Sequence, residues 1–346
     1  MIGSDGQLSF GEDLLAHAYQ AMTQAASADP YRALALVRVV GGTLERMSRR
    51  KKVRAELGIP VPEVIFLSVT GDCNLHCPHC YAGGYAKEHM PIDLAERIIS
   101  EACELGVAMF VITGGEPLLY PEFFAMARET PHVPFLTFTN GTLMPDFLAD
   151  GGAGANMLWA VSVDGPKRWN DARRGEGTFD LACEAMEALS AQRLPFGFSA
   201  TLSRDNLIAA TSHSFIASMA LRGCRMGFLL QEMPGTTCDS VVEGLEERAE
   251  SCREHSPIPL ASFPGDEARY GGCLGAGRAF LHIAPDGSVE PCPIVHVPVA
   301  SLKEMSLEAA LSSPPLRGFR AGGRLARAQS QAAESLVAAS DLLRTA

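Results

Sequence analysis

Three cysteines, Cys73, Cys77 and Cys80, stand in one short loop with the spacing C-x3-C-x2-C. Thiolates this close can converge on one inorganic centre, and three is one fewer than the four that usually close an iron-sulfur cluster. A structural zinc ion needs a closed tetrahedron, most often built from two separated pairs. No second pair follows at that distance, although His76 or His79 could complete a zinc shell. A disulfide among the three would close too short a loop to be useful, and nothing marks the chain as secreted. A second pair, Cys273 and Cys292, frames Gly287 as C-x13-G-x4-C.

Other residues able to do chemistry follow apolar runs. Gly114, Gly115 and Glu116 offer a backbone that a ligand can approach closely and a carboxylate that attracts an ammonium group. Asn140-Gly141, and Ser162 with Asp164-Gly165, end two further runs, where Asn-Gly and Asp-Gly are also ordinary turn chemistry. Arg173, Arg174, Gly175 and Gly177 form an arginine-glycine segment in which a guanidinium can pair with a carboxylate or remain a surface charge.

The elements that position these residues alternate. Apolar, β-branched runs at 64–69, 108–113, 135–139, 158–163, 196–202 and 226–231 predict strands, and amphipathic stretches at 91–105, 121–129, 143–149, 178–191 and 207–222 predict helices. Repeated β-α units imply a parallel sheet covered by helices, an α/β fold. The cysteine loop, Glu116, Asn140 and Asp164 then fall at strand C-terminal ends, where such sheets gather their active sites. Upstream, 10–58 reads as helical, with Asp29-Pro30 as a start and Gly41-Gly42 as an interruption. The basic run from Arg46 to Arg54 reads as a solvated face, with a docking surface for acidic peptide or lipid as its alternative. Downstream come a linker helix near 240–254, a boundary marked by Pro257, Pro259 and Pro264-Gly265, and a hairpin turning at Pro285-Asp286-Gly287. A short helix at 306–311, Pro314-Pro315 and an alanine-rich tail from 324 complete the chain. The expected division is a helical extension (1–61), a barrel (62–235), a linker (236–258), a C-terminal hairpin and helix domain (259–323) and the tail.

The cysteine loop after a first strand, with Gly114-Gly115-Glu116-Pro117 ending the next, resembles the radical S-adenosylmethionine (radical SAM) superfamily. That resemblance implies a partial (β/α)6 TIM-like barrel. It also implies a 4Fe-4S cluster on Cys73, Cys77 and Cys80, its fourth iron open to SAM, and reductive cleavage of SAM to a 5′-deoxyadenosyl radical that abstracts a substrate hydrogen. Gly114, Gly115, Glu116, Asn140, Ser162, Asp164 and Arg174 are the expected SAM-binding residues. The position before the last cysteine, often aromatic in the family, is His79. The Cys273–Cys292 segment resembles the opening of a SPASM or twitch domain, implying an auxiliary iron-sulfur cluster. No cysteine follows Cys292, so a full two-cluster SPASM domain is not expected, and Cys238, Cys252, His296 or a substrate would have to supply further ligands. The extension and the arginine-glycine segment favour a maturase acting on a peptide or protein; small-molecule biosynthesis, such as tetrapyrrole or sugar modification, is the competing enzyme reading. Flavodoxin or ferredoxin is the expected electron donor. A zinc-stabilised binding module or a plain electron carrier is the reading from a different class.

The 346 residues suffice for about two domains. A formal net charge of -11 argues against a wide nucleic-acid surface. The first residues lack a basic segment followed by an apolar one, and no apolar run approaches the roughly 20 residues a membrane helix needs. The expected compartment is the cytoplasm, where the ten cysteines are thiols or metal ligands. Cys103, Cys183 and Cys224 read as small core residues.

Overall fold

The computed structural model describes residues 9–26, 30–232, 245–263, 270 and 273–321. Cys238, Pro264-Gly265 and the alanine-rich tail lie outside the described residues. Two helices, α1 (Phe10–Ala26) and α2 (Pro30–Leu57), precede the alternating units. These run β1 (Val64–Thr70), α3 (Ile92–Leu105), β2 (Met109–Gly114), α4 (Pro121–Arg128), β3 (Phe135–Thr139), α5 (Met144–Ala149) and β4 (Met157–Ser162). After them come α6 (Lys167–Arg174), α7 (Thr178–Ala191), β5 (Phe196–Leu202), α8 (Leu207–Ala210), α9 (His213–Leu221) and β6 (Gly227–Gln231). The chain continues through α10 (Leu245–His255), β7 (Leu260–Phe263), β8 (Phe280–Ile283), β9 (Ser288–Glu290), β10 (Ala300–Ser301), α11 (Leu307–Ser312) and α12 (Pro314–Ala321).

One sheet holds all ten strands in the order β10-β9-β8-β1-β2-β3-β4-β5-β6-β7. The six expected strands are consecutive and parallel. Two more extend them: β7 pairs parallel with β6, and β8 pairs parallel with β1. The hairpin is therefore continuous with the barrel sheet through β8. Successive side chains alternate between faces. Ile65, Leu67, Phe110, Ile112, Trp159 and Val161 share one core with the flanking helices, and the Trp159 ring lies 5.6 Å from Phe124 and 5.5 Å from Phe147. Val64, Met109, Val111, Leu136, Leu158 and Ala160 share the other with Leu14, Leu15, Ala18 and Met22 of α1, so α1 packs against the concave face of the sheet.

Several local expectations are corrected. Gly41-Gly42 does not interrupt α2, because Gly42 serves a close approach: a Cβ there would lie 2.8 Å from the His132 carbonyl oxygen. The basic run is only partly solvated. Arg46 and Arg50 are buried; Arg46 donates to Thr43 Oγ1 (3.0 Å) and to the carbonyls of Ala108 and His132 (both 3.1 Å), while Arg50 pairs with Glu63. The helix expected at 207–222 is two helices, divided at Thr211-Ser212, where the Ser212 hydroxyl caps α9 by accepting from Phe215 N. After the 306–311 helix, Pro314 opens a further helix, α12, as proline does in a first helical turn. Cys183 and Cys224 are buried, and Cys103 is half-buried against the helical core.

Candidate active site

The cysteine loop leaves the C-terminal end of β1 and is fixed by hydrogen bonds. Thr70 Oγ1 accepts from Asp72 N (2.9 Å) and lies 2.9 Å from His89 Nδ1. Asn74 donates to Thr142 Oγ1 and accepts from Asn140 Nδ2, both at 2.8 Å, which ties the loop to the end of β3. His79 takes the left-handed region, φ 53°, and turns the chain between Cys77 and Cys80. The end of β2 presses on the same loop. Gly115 N donates to the Thr70 carbonyl and Glu116 N to the Asp72 carbonyl, both at 2.8 Å. A Cβ on Gly114 would lie 2.2 Å from Thr70 O and one on Gly115 2.0 Å from Asp72 O, so only glycine permits this approach.

Cys73, Cys77 and Cys80 line one cavity of about 210 Å³ together with Gly114, Gly115, Asn140, Ser162 and Arg174. These eight residues singled out in the sequence therefore line one cavity, with His79 and Arg173 beside them. Two do not. Glu116 is buried away from the cavity, where its carboxylate accepts from Thr139 Oγ1 and Asn140 N (2.7 Å each) and from Leu118 N (3.1 Å). Burial raises its pKa even against those donors. Asp164 is fully buried and accepts from Arg174 Nε and Nη2 (2.7 and 3.1 Å), Arg173 Nη1 (3.1 Å) and Thr201 N (2.7 Å). Burial works against its charge, but Arg174 and Arg173 outweigh it and hold the carboxyl below its ordinary range. Asp164 thus aims both guanidinium groups, and Arg174 is delivered to the cavity by the last turn of α6, which the charged sequence had concealed.

The sequence also left unmarked Tyr81, whose hydroxyl accepts from Gly114 N (3.1 Å), and Ser199, which lies 3.0 Å from Ser162 Oγ. Gln231, Glu232, Pro293 and Ile294 complete the far side of the cavity. The ends of the fifth and sixth strands were the available signal, since their positions follow from the same β-α repeat. Cys273 and Cys292 stand apart from this cavity but near each other in the chain path: Ala276 N donates to the Pro291 carbonyl (2.7 Å), and a Cβ on Gly275 would lie 3.3 Å from Cys292 Cβ. Cys252 is engaged elsewhere, donating to the Thr211 carbonyl at 2.9 Å. His296 Nδ1 lies 2.9 Å from the Tyr85 hydroxyl and 3.3 Å from Glu290 Oε2.

The donor set, three thiols, fits an iron-sulfur cluster. Among the described residues no three His, Cys, Asp or Glu side chains gather closely enough to hold one metal ion. Three thiols lining one cavity would hold three irons of a 4Fe-4S cluster and leave the fourth for another ligand. Burial raises the Cys73 and Cys77 thiols, Arg174 and Arg173 pull Cys77 partly back, and bound metal ionises such thiols outright.

Comparison with known proteins agrees with this geometry. Residues 67–206 match the radical SAM superfamily and residues 273–334 an iron-sulfur cluster-binding domain, SPASM. The chain is 26% identical over 280 residues to an AdoMet-dependent heme synthase of Methanosarcina barkeri, covering 70% of this chain and 80% of that one. It is 29% identical over 262 residues to the mycofactocin maturase MftC of Mycolicibacterium smegmatis, covering 69% of this chain and 66% of that one. Among solved structures, SuiB of Streptococcus suis bound to the precursor peptide SuiA shares the fold, with a TM-score of 0.62 at 16% identity over 78% of this chain and 69% of that one. The radical SAM domain implies a 4Fe-4S cluster and SAM, and the SPASM match suggests an auxiliary iron-sulfur centre. The chain thus carries a radical SAM domain, that of a radical SAM enzyme, with a SPASM-like C-terminal extension.

Proposed function

We propose that this radical SAM enzyme is a maturase acting on a peptide or protein. The observation that carries the reading is the seam beside the cavity. Among the described residues, β7 pairs only with β6, and its last residue, Phe263, lines the cavity. A strand that ends at such a cavity can guide an extended peptide, presenting alternate side chains to a neighbouring pocket. The similarity to MftC supports the same substrate class.

In this reading Cys73, Cys77 and Cys80 hold the cluster and Cys273 with Cys292 hold part of an auxiliary centre. When bound, the cluster and SAM supply one-electron cleavage of the sulfonium. The protein's own residues bind and orient. Gly114 and Gly115 bring backbone to the cavity, Asn140 and Ser162 offer hydrogen bonds, and Arg174, aimed by Asp164, pairs with a carboxylate. Glu116 acts from behind, fixing the ends of β2 and β3. The donor of electrons is a small redox protein of the flavodoxin or ferredoxin class, and the reducing cytoplasm is the compartment in which these thiols remain available as ligands. Among the described residues no helix is long and apolar enough to cross a membrane.

A second reading, small-molecule chemistry on a tetrapyrrole, is favoured by the similarity to heme synthases. One experiment tests both. After anaerobic reconstitution with iron and sulfide, the enzyme, SAM and a reductant are incubated with peptides encoded beside its gene or with a porphyrin precursor, and products are read by mass spectrometry. Formation of 5′-deoxyadenosine with hydrogen loss from a peptide supports the maturase; modification of the porphyrin alone overturns it.

A further inference from the structure

Behind the cavity lies a line of hydrogen-bonded side chains that cofactor binding does not use. Thr113, at the end of β2, lines the cavity and places Oγ1 3.1 Å from Ser68 Oγ. Ser68, on β1, is fully buried and lies 2.8 Å from His282 Nε2. His282, on β8, is also fully buried, and its Nδ1 lies 2.8 Å from Glu290 Oε2 on β9. The pairing of β8 with both β1 and β9 sets these positions, since Phe66 stands opposite His282 and His282 opposite Glu290.

We propose that Thr113, Ser68 and His282 form a proton relay serving the cavity, with Glu290 as the fixed partner of the imidazole. The inference rests on the reading of that cavity as the place where SAM and substrate meet. A carboxylate accepts only, so Nδ1 carries the hydrogen and Nε2 is left to accept from Ser68. Burial favours the neutral imidazole, holding His282 below the ordinary histidine range against the pull of Glu290. The other titratable groups facing this cluster are Tyr81, whose hydroxyl bonds Thr113 and Ser68, Tyr85, whose hydroxyl donates to Glu290 Oε2 at 3.0 Å, and His296.

The transfer balances without a redox partner. A proton reaching Thr113 Oγ1 from the cavity displaces that residue's own proton to Ser68 Oγ, and the serine proton passes to His282 Nε2. The O–H bonds of both hydroxyls are remade, one N–H bond forms, and the imidazolium is paired with the Glu290 carboxylate. Reversal returns the proton. Ser68 is no nucleophile here, since it faces no cavity and is sealed from solvent. His282 acts through two hydroxyls and is a positioning residue in this scheme, one that holds or releases the cavity's proton.

The test uses the full chain, cluster-free, with 15N-labelled histidine. The exchange of the His282 imidazole N–H with solvent is followed by NMR across neutral pH. Thr113→Val, which keeps the shape and removes the hydroxyl, and Ser68→Ala should each slow exchange on the order of tenfold or more, the scale at which positioned proton transfer acts. Thr113→Ser and Ser68→Thr should restore it. Wild-type exchange in Thr113→Val and Ser68→Ala, or equal slowing in the hydroxyl-retaining pair, would overturn the relay. Because no cofactor is needed, failure of the wild-type enzyme to cleave SAM would overturn the functional reading alone.

Discussion

The Phe263 ring at the end of β7 lies 5.4 Å from the Phe280 ring at the start of β8, an edge-to-face contact across two strands that share no ladder. Phe280 also meets Phe66 at 5.2 Å and Phe10 at 5.8 Å. Among the described residues these rings link β7 to β8, β1 and α1. A double-mutant cycle with Phe263→Leu and Phe280→Leu should give a coupling of about 0.5–1.5 kcal/mol by denaturant titration. Strict additivity would mean the rings merely sit near one another.

Loss of one cluster thiolate should be decisive for chemistry. Cys77→Ala should abolish 5′-deoxyadenosine formation from SAM and reductant, read by chromatography. Cys273→Ala with Cys292→Ala should lower iron by about one cluster while SAM cleavage continues. Unchanged iron in the double variant would make the pair structural.

Asp164 neutralises two nearly buried guanidinium groups, whose side chains are 12% and 11% exposed. Asp164→Ala leaves both without that partner and should cost about 3–5 kcal/mol in urea unfolding, the usual scale for breaking a buried ion pair. It should also weaken SAM binding in isothermal titration, because Arg174 is no longer aimed.

Neighbouring glycines in α2 should respond oppositely. A Cβ on Gly41 meets nothing within 4 Å, so Gly41→Ala should stabilise by about 0.5–1 kcal/mol through helix propensity. Gly42→Ala should destabilise by about 1–3 kcal/mol, because the backbone carbonyl of His132 blocks the methyl group. Melting temperatures of the two variants should move in opposite directions.

Glu290 sets an acid limit. Burial would raise its pKa, but hydrogen bonds from His282 and His296 prevail and lower it from 4.5 to about 2. A depressed folded pKa means stability that is complete above the unfolded value and lost as pH falls through the folded one. About 3 kcal/mol should therefore disappear between roughly pH 4.5 and pH 2. Glu290→Gln should flatten that part of the stability curve measured by denaturant titration.

The parallel units were legible because β-branched runs and helical periodicity survive in the sequence. The strand β7 was not: Leu260, Ala261, Ser262 and Phe263 lie between prolines that mark a boundary when tertiary pairing is invisible. The helix α6 has Trp169 and Ala172 among charged and polar residues and shows no apolar stripe, so its arginines read as loop. The cysteines, glycines, Asn140, Ser162 and Arg174 were legible by type and place. Glu116 and Asp164 were legible as strand-end carboxylates but not in orientation, since nothing along the chain says whether a carboxylate turns toward a cavity or toward backbone donors. His282 looked like one more strand residue between Leu281 and Ile283.

The strand Val64–Thr70 has three dependents: the thiol loop at its end, the hairpin along one margin, and the Arg50–Glu63 bolt just ahead of its start. A slip of a single residue would turn Ser68 to the wrong side, strand the loop and unseat the bolt together. Insertions and deletions should therefore be absent from this stretch in any working descendant of the gene, however freely the outer helices vary.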